Sequence, residues 1–597
     1  MSYSCNPLNR LEAFLALNKG LTARLCVYFA SLFLIVYYFP AILQNDIFAG
    51  DMAVWTPWAY SFRDGDLFRG DINNTYWTAN FPLGYFFILK LLSPYIDPQI
   101  LGESIGFVLG ALATFFGFLV GREVTGGKTW GGIAVIALIV LSQFIPSSPI
   151  NFLARVAGGL PRGYALAIVL LGVLSVLRQK LSGLGWAFVL GALFYPPACI
   201  ILGTYAALVL VFRIWKERSV PKGMLLLAVF AMGAAAILVA ATLNSGETTG
   251  PVYSLNQMLS MPEFWPGGSL VFFYEHWLDY ILAAMQLGQG SLGVICLLFT
   301  VLMFTTGAIK NDRRLLRAEI VFIPVSAIIN YAAAYLLMLR LYEPSRYLVF
   351  SYQALTICCF PLFVSYTVNW LAPRLPGIAL SDGAQKTAWR AAFVLVTAIG
   401  IGAYSARVAL KRGGAPDPMP SEVYEFLQTL PKDTLIASTP TDGDRIPMRS
   451  RRSVLYVASS LFPYHPLYYS TMKERFDAVL AAMYSPGPEQ LLALKQRFGV
   501  RYFIVHSDLA RHDPVSEVQP FKSYISTVAA DLGDKQPYIL SVMNSASVFE
   551  KGGFSVLDLD RIEQMASNQS QGNRASVDLK NAPGLPSVRE KPSLAVR

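Results

Sequence analysis

Charge is what this chain has least of. Only 14% of its 597 residues are Asp, Glu, Lys or Arg, against roughly 25% in soluble domains. That shortfall excludes an ordinary soluble globular protein. Histidine is equally sparse: the 4 in the chain, His276, His465, His506 and His512, are scattered and build no zinc or haem signature. The 6 cysteines lie in the N-terminal part or in apolar segments, with none after residue 411. They imply neither a disulfide framework nor a thiolate metal site. No repeat of fixed period and no inverted halves are visible. Inside the long apolar segments charge almost vanishes, Glu103 and Glu319 standing at segment ends. Ion- and proton-coupled transporters place ionisable groups within the membrane, so their scarcity argues against that class.

What is present is apolar sequence, 54% of the chain. A membrane-crossing helix needs about 20 apolar residues. Spans are predicted near 26–44, 102–121, 129–146, 161–177, 184–196, 197–213, 223–243, 281–308, 319–339, 347–368 and 390–409. Arg10, Lys19 and Arg24 precede the first run, and no small-residue cleavage site follows it, which reads as a retained signal-anchor. "GALFYPPACIIL" is ambiguous. Pro196 and Pro197 either separate two short helices or kink a single one. Charge bias decides for two. Every alternate loop is then basic: Arg122 and Lys128; Arg178 and Lys180; Arg213, Lys216, Arg218 and Lys222; Lys310, Arg313, Arg314 and Arg317; Arg374, Lys386 and Arg390. The expected N-terminus is cytoplasmic and the C-terminal region lies outside. These loops account for most of the net charge of +10, and no nucleic-acid partner is expected.

Composition changes near residue 411. "GGAPDPMPS" reads as a linker. "SEVYEFLQTLP" and "PEQLLALKQRFG" read as helices, and "TLIAST", "SVLYVAS" and "VRYFIVHS" as strands. The expected architecture is a polytopic α-helical membrane module over 1–410, with about 11 transmembrane helices. An extracytoplasmic α/β domain over 411–567 and a disordered tail over 568–597 follow.

The chemistry is concentrated in the first outer loop, 45–101. "NDIFAGDMAVWTPWAYSFRDGDLFRGD" gathers Asp46, Asp51, Asp64, Asp66 and Asp71 beside Trp55 and Trp58. Asp51 follows the flexible Gly50 and precedes apolar "MAVW", a setting in which a partly desolvated carboxylate serves as a general base. Asp64, Asp66 and Asp71 read as turn and cap residues. Trp55 anchors the loop at headgroup depth or stacks on a sugar ring. Arg155, Arg162, Arg340 and Arg346 lie on the side where positive charge is disfavoured. A guanidinium fork matches phosphate oxygens. The alternatives are pairing with Glu343 or Glu103, or snorkelling; Arg340 is read that way. "GLPRG" and "EPSRY" share Pro, then Arg, at the start of an apolar helix, where backbone N–H groups and the helix dipole favour anions. Arg155, Arg162, and Arg346 with Tyr347, are the substrate-binding candidates among these. His276 in "FYEHWLDY" is an acceptor contact or an interfacial residue bonded to its neighbours.

The order of these features resembles the integral-membrane GT-C glycosyltransferases: a first span, an acidic outer loop opening on Asp, an amphipathic "NFPLGYFFILKLL", a basic "GREVTGG" turn, a late "PSRY" opening a span, and a soluble C-terminal domain. That resemblance covers roughly 1–410. It implies a polyprenyl-phosphate-linked sugar donor, inversion at the anomeric carbon, Asp51 as base and Arg346 on the lipid phosphate. It implies a glycan, lipid or protein acceptor, contact with membrane lipid, and residence in a bacterial plasma membrane. Some members bind a divalent metal through an acidic pair; Asp64 and Asp66 form a D-G-D late in the loop, and no metal ligand is assigned. The alternatives are a transporter or flippase for a lipid-linked precursor and a non-catalytic envelope-assembly protein.

Overall fold

The computed structural model describes residues 52–142, 152, 157–276, 279, 318–371, 419–456, 461–509, 519, 521–533 and 535–568. Asp51, Arg155 and the spans predicted at 26–44, 281–308 and 390–409 lie outside them.

The first loop folds into short turns, then α1 (Ile72–Ala79) and α2 (Leu83–Leu92). At ten residues α2 reaches about 15 Å, half a bilayer core. It buries Tyr85 and Leu89 while exposing Phe87 and Leu91. The bundle is α3 (Pro98–Val124), α4 (Thr129–Ser142), α5 (Tyr164–Leu177), α6 (Leu181–Phe194), α7 (Pro196–Glu217), α8 (Met224–Thr249), α9 (Ala318–Leu336) and α10 (Pro344–Leu371). Among the described residues, α3, α7, α8, α9 and α10 are long and apolar enough to cross a membrane. The chain is thus a polytopic helical membrane protein carrying a small sheet domain. Every residue of α5 except Leu171 is buried, as expected of a helix apolar on all sides. It packs against α3, α6, α7 and α10. At the periphery, α8 exposes Leu225, Val229, Met232, Val239 and Leu243.

The proline pair makes two helices. Tyr195 is extended, with φ −154°, between α6 and α7. A straight helix would separate Gly191 from Cys199 by about 12 Å; instead a Cβ on Gly191 would stand 2.8 Å from the Cys199 nitrogen. The chain reverses there, and Pro196 opens α7 at the position where its missing N–H costs nothing.

The helices sort their charge by end. Arg178, after α5, pairs with Glu123 near the end of α3. Arg213 of α7 pairs with Glu319 at the start of α9 and donates to the Val176 carbonyl of α5. Opposite them, Asp97, the cap of α3, meets the sheet domain.

That domain comprises α11 (Ser421–Thr429), β1 (Leu435–Ser438), β2 (Ser453–Val454), α12 (Pro466–Met483), α13 (Glu489–Phe498), β3 (Tyr502–His506), α14 (Phe521–Leu532), β4 (Ser547–Lys551) and β5 (Phe554–Asp558). The sheet order is β2-β1-β3-β5-β4. The first three strands are parallel, with Ile436 opposite Tyr502, which requires helical crossovers. β5 runs antiparallel to both β3 and β4, turning from β4 on Gly552 and Gly553 at φ 59° and 85°. Alternation splits the strands between two faces. Ile436, Tyr502, Ile504 and Val556 pack under α11. Ala437, Phe503, Val505 and Leu557 join α12 and α13 in a core continuous with the bundle. The α12 layer is therefore held between sheet and membrane helices.

Candidate functional site

The first loop is locked at its entrance. Met52 lies against two glycines: a Cβ on Gly158 would meet Met52 Cγ at 2.5 Å, and one on Gly102 would lie 2.8 Å from the Gly158 carbonyl oxygen and 3.5 Å from Met52 Cε. Gly158 and Gly159 hold left-handed φ of 75° and 61°, which glycine adopts without steric cost. The residue after Asp51 is thus wedged between the start of α3 and the "GGLPRG" turn. Glu103, 3% exposed, lies close to the Gly158 amide at this junction. Arg162 follows in the turn Pro161–Gly163 that leads directly into α5.

Trp55 packs on Phe81, centroids 5.7 Å apart and nearly parallel, and lies 5.0 Å from Trp77. Its neighbour Trp58 is fully buried and donates to the Val54 carbonyl at 2.6 Å. Asp71 caps α1, accepting from the Asn73 amide at 2.7 Å. Its burial pushes its carboxyl up, against the lowering effect of its bond to Ser453. Asp64 and Asp66 face Lys432 of the sheet domain at 2.6 and 3.8 Å. The hydrogen bond from Lys432 holds the Asp64 carboxyl below its usual range. An ammonium therefore stands between the two carboxylates of the D-G-D pair. Asp97 takes the Tyr60 hydroxyl at 3.0 Å and lies 3.5 Å from Arg451, whose guanidinium covers the Tyr60 ring at 4.7 Å.

Arg346 sits one turn into α10, behind Pro344. Glu343 lies 2.8 Å from its Nε, at ion-pair distance though without hydrogen-bond alignment of that N–H. This is one of the partners the sequence offered. The second Glu343 oxygen accepts from the Tyr464 hydroxyl of the sheet domain at 2.6 Å. Tyr195, Tyr342 and Tyr464 are close enough to act on the guanidinium. Tyr347 is fully buried, and its hydroxyl donates to the Leu341 carbonyl, stapling a turn in which Leu339 and Tyr342 take left-handed φ of 60° and 69°. His276 is exposed, and its carbonyl accepts from the Asp279 amide at 3.1 Å.

The sequence reading passed over "LFPYHPLYY", residues 461–469, which docks the sheet domain. Tyr76 bonds His465 Nδ1 at 2.8 Å and stacks on Tyr468, centroids 3.6 Å apart. The Tyr468 hydroxyl donates to Asn73 at 2.8 Å. Tyr469 donates to the buried Glu263, and the Tyr464 carbonyl accepts from the Tyr253 amide at 3.1 Å. Phe462 stands edge-on to Trp77 at 6.0 Å. One segment thus grips the first loop, the 251–273 loop and the turn before α10. Its signal was four aromatics and two prolines in nine residues of a soluble domain, a composition suited to a rigid docking surface.

No protein-family model and no curated protein matches the chain. Among solved structures it is similar to the Archaeoglobus fulgidus oligosaccharyltransferase in complex with zinc and sulfate, at 14% identity over 80% of this chain and 67% of that one, TM-score 0.36. The apo form of that protein gives 14% identity, 80% and 69% coverage, and a TM-score of 0.39. Archaeal AglB from A. fulgidus with an inhibitory peptide and a dolichol-phosphate gives 13% identity, 89% and 74% coverage, and a TM-score of 0.37. These neighbours are oligosaccharyltransferases.

Proposed function

We propose that this protein transfers a sugar from a polyprenyl-phosphate-linked donor to an acceptor at the outer membrane face, with inversion at the anomeric carbon. Asp51 takes the proton from the acceptor hydroxyl, and Arg346 and Arg162 hold the phosphate of the departing lipid. The reading rests on one observation above the others. Arg346 is fixed at the first turn of a spanning helix by a buried carboxylate, which the Tyr464 hydroxyl holds from the other side. A preorganised cation beside helix N–H groups stabilises phosphate charge as it develops. Met52, the next residue after Asp51, supports the reading, since its own contacts with Gly102 and Gly158 lie beside Glu103 and the Arg162 turn. The outer orientation agrees with basic residues gathering at the end away from the sheet domain.

The test is transfer from a radiolabelled polyprenyl-phosphate sugar by the protein in nanodiscs. Asp51→Asn should lower turnover at least 100-fold with donor binding intact, and Arg346→Ala should weaken donor binding. Full turnover by Asp51→Asn would remove the assigned base.

A further inference from the structure

The sheet domain carries a cleft of about 560 Å³ along one face of α12, within the range of about 300–1,000 Å³ typical of ligand sites. Ser470, Lys473, Glu474, Asp477, Ala478 and Ala481 line it from α12 at helical spacing. Opposite stand Gln490, Ala493, Arg497 and Phe498 of α13, with Tyr524 of α14. None of these residues belongs to the donor site described above.

The charges in the cleft cancel pair by pair. Lys473 lies 3.2 Å from Asp477, and Arg497 bonds Glu474 across the gap. With no net charge, the lining gives no preference to a phosphate, a nucleotide or an anionic headgroup. What it offers is bonding capacity without excess charge. Asp477 Oδ1 is buried with no hydrogen-bond partner. Gln490 and Ser470 are exposed at the two walls. Tyr524, 37% exposed, is held by the Lys473 ammonium 5.0 Å from its ring centroid. The alanines keep the floor shallow. A sugar ring matches this lining, because its hydroxyl rim both donates and accepts while its C–H face is apolar.

Position gives the cleft a direction. Ser470 adjoins Tyr469, whose hydroxyl is bonded to Glu263 of the bundle loop. One end of the cleft therefore begins where α12 docks on the bundle. We infer that the cleft binds a neutral oligosaccharide and is the acceptor subsite, holding a growing glycan whose end reaches the first loop. This rests on the transfer reading above and narrows its acceptor to a glycan.

The test uses the full chain in nanodiscs, with maltotetraose, cellotetraose and a linear mannotetraose as probes in saturation-transfer NMR. At least one should bind, and Tyr524→Ala and Gln490→Ala should each weaken it at least 5-fold with the melting temperature unchanged. Arg346→Ala should leave this binding intact. Absence of transfer to all three saccharides, or binding that ignores both cleft substitutions, overturns the proposal, as does capture of a neutral tetrapeptide in their place. The two readings fail separately. Saccharide binding with full turnover by Asp51→Asn would sink the transfer reading and keep the cleft as a sugar site. Loss of turnover in Asp51→Asn with a cleft that ignores sugars would do the reverse.

Discussion

The Tyr464 hydroxyl of the sheet domain donates to Glu343 Oε1 at 2.6 Å, across the boundary with the helix bundle. The other Glu343 oxygen holds Arg346, so the soluble domain reaches a candidate phosphate contact through one carboxylate. Burial, with the Glu343 charge adding to it, pushes the Tyr464 phenol well up, so it stays a donor at physiological pH. Glu343 is 6% exposed, so removing the phenol takes a hydrogen bond from a buried carboxylate. Tyr464→Phe should cost about 1–3 kcal/mol. Glu343→Gln, which leaves a buried guanidinium without its counter-charge, should cost about 3–5 kcal/mol. Unfolding monitored by intrinsic fluorescence in detergent ranks the two. Equal effects would show that the Arg346 charge needs no partner.

The Lys432–Asp64 bridge, by contrast, lies in open solvent, its side chains 48% and 34% exposed. Screening over a Debye length of about 10 Å at 0.1 M salt leaves such a pair little influence. Lys432→Ala should leave the melting temperature unchanged at 0.15 M salt. Arg451→Ala loses both the Asp97 pair and the face of Tyr60 and should lower it. Melting curves at low and high salt check the contrast, and a large salt-independent loss in Lys432→Ala would contradict it.

How far this could be read from sequence depends on how local each signal is. Long apolar runs and the Pro196–Pro197 break declare themselves within a window of one helix, and both appear as helices and a reversal at Tyr195. Parallel strands such as β3 are buried on both faces and read as apolar runs. The hairpin of β4 and β5 was not read: β4 is half-exposed, and its only marker is Gly552-Gly553. Contacts are harder. Tyr464 meets Glu343 across 121 positions and Tyr468 meets Asn73 across 395, and no periodicity encodes such pairs. Glu343, three residues from Arg346, was within reach of pattern reasoning. The fate of Trp55, in a cluster with Trp77 and Phe81, was not.

Two glycines should separate stability from activity. A Cβ on Gly159 would stand 2.3 Å from the Gly102 carbonyl oxygen, a backbone atom that cannot swing aside. With φ at 61°, Gly159→Ala should destabilise by more than the roughly 1–2 kcal/mol of a left-handed alanine. Gly65 has nothing within 4 Å of its added Cβ, and Gly65→Ala should be close to neutral. Gly158→Ala instead displaces the Met52 side chain, the residue next to Asp51. It should lower turnover more than melting temperature alone explains. Parallel melting and transfer assays on the three variants decide it; unimpaired turnover in Gly158→Ala would detach the Met52 wedge from function.

Acid should loosen the dock between the two domains, and His465 supplies part of the reason. Burial lowers its pKa from 6.5 to about 4, so in the folded protein its ring stays neutral, with Nδ1 hydrogen-bonded to the Tyr76 hydroxyl. The unfolded chain binds a proton first as pH falls through 6.5. Between 6.5 and about 4 the unfolded state therefore holds more protons, and stability falls as pH falls. Above that window the contribution is complete. His465→Gln keeps an acceptor for Tyr76 and removes the titration, so its loss of stability from pH 7 to pH 4 should be shallower than that of the wild type. Chemical unfolding at half-unit pH steps measures both slopes. Superimposable slopes would mean that protonating His465 does not oppose docking.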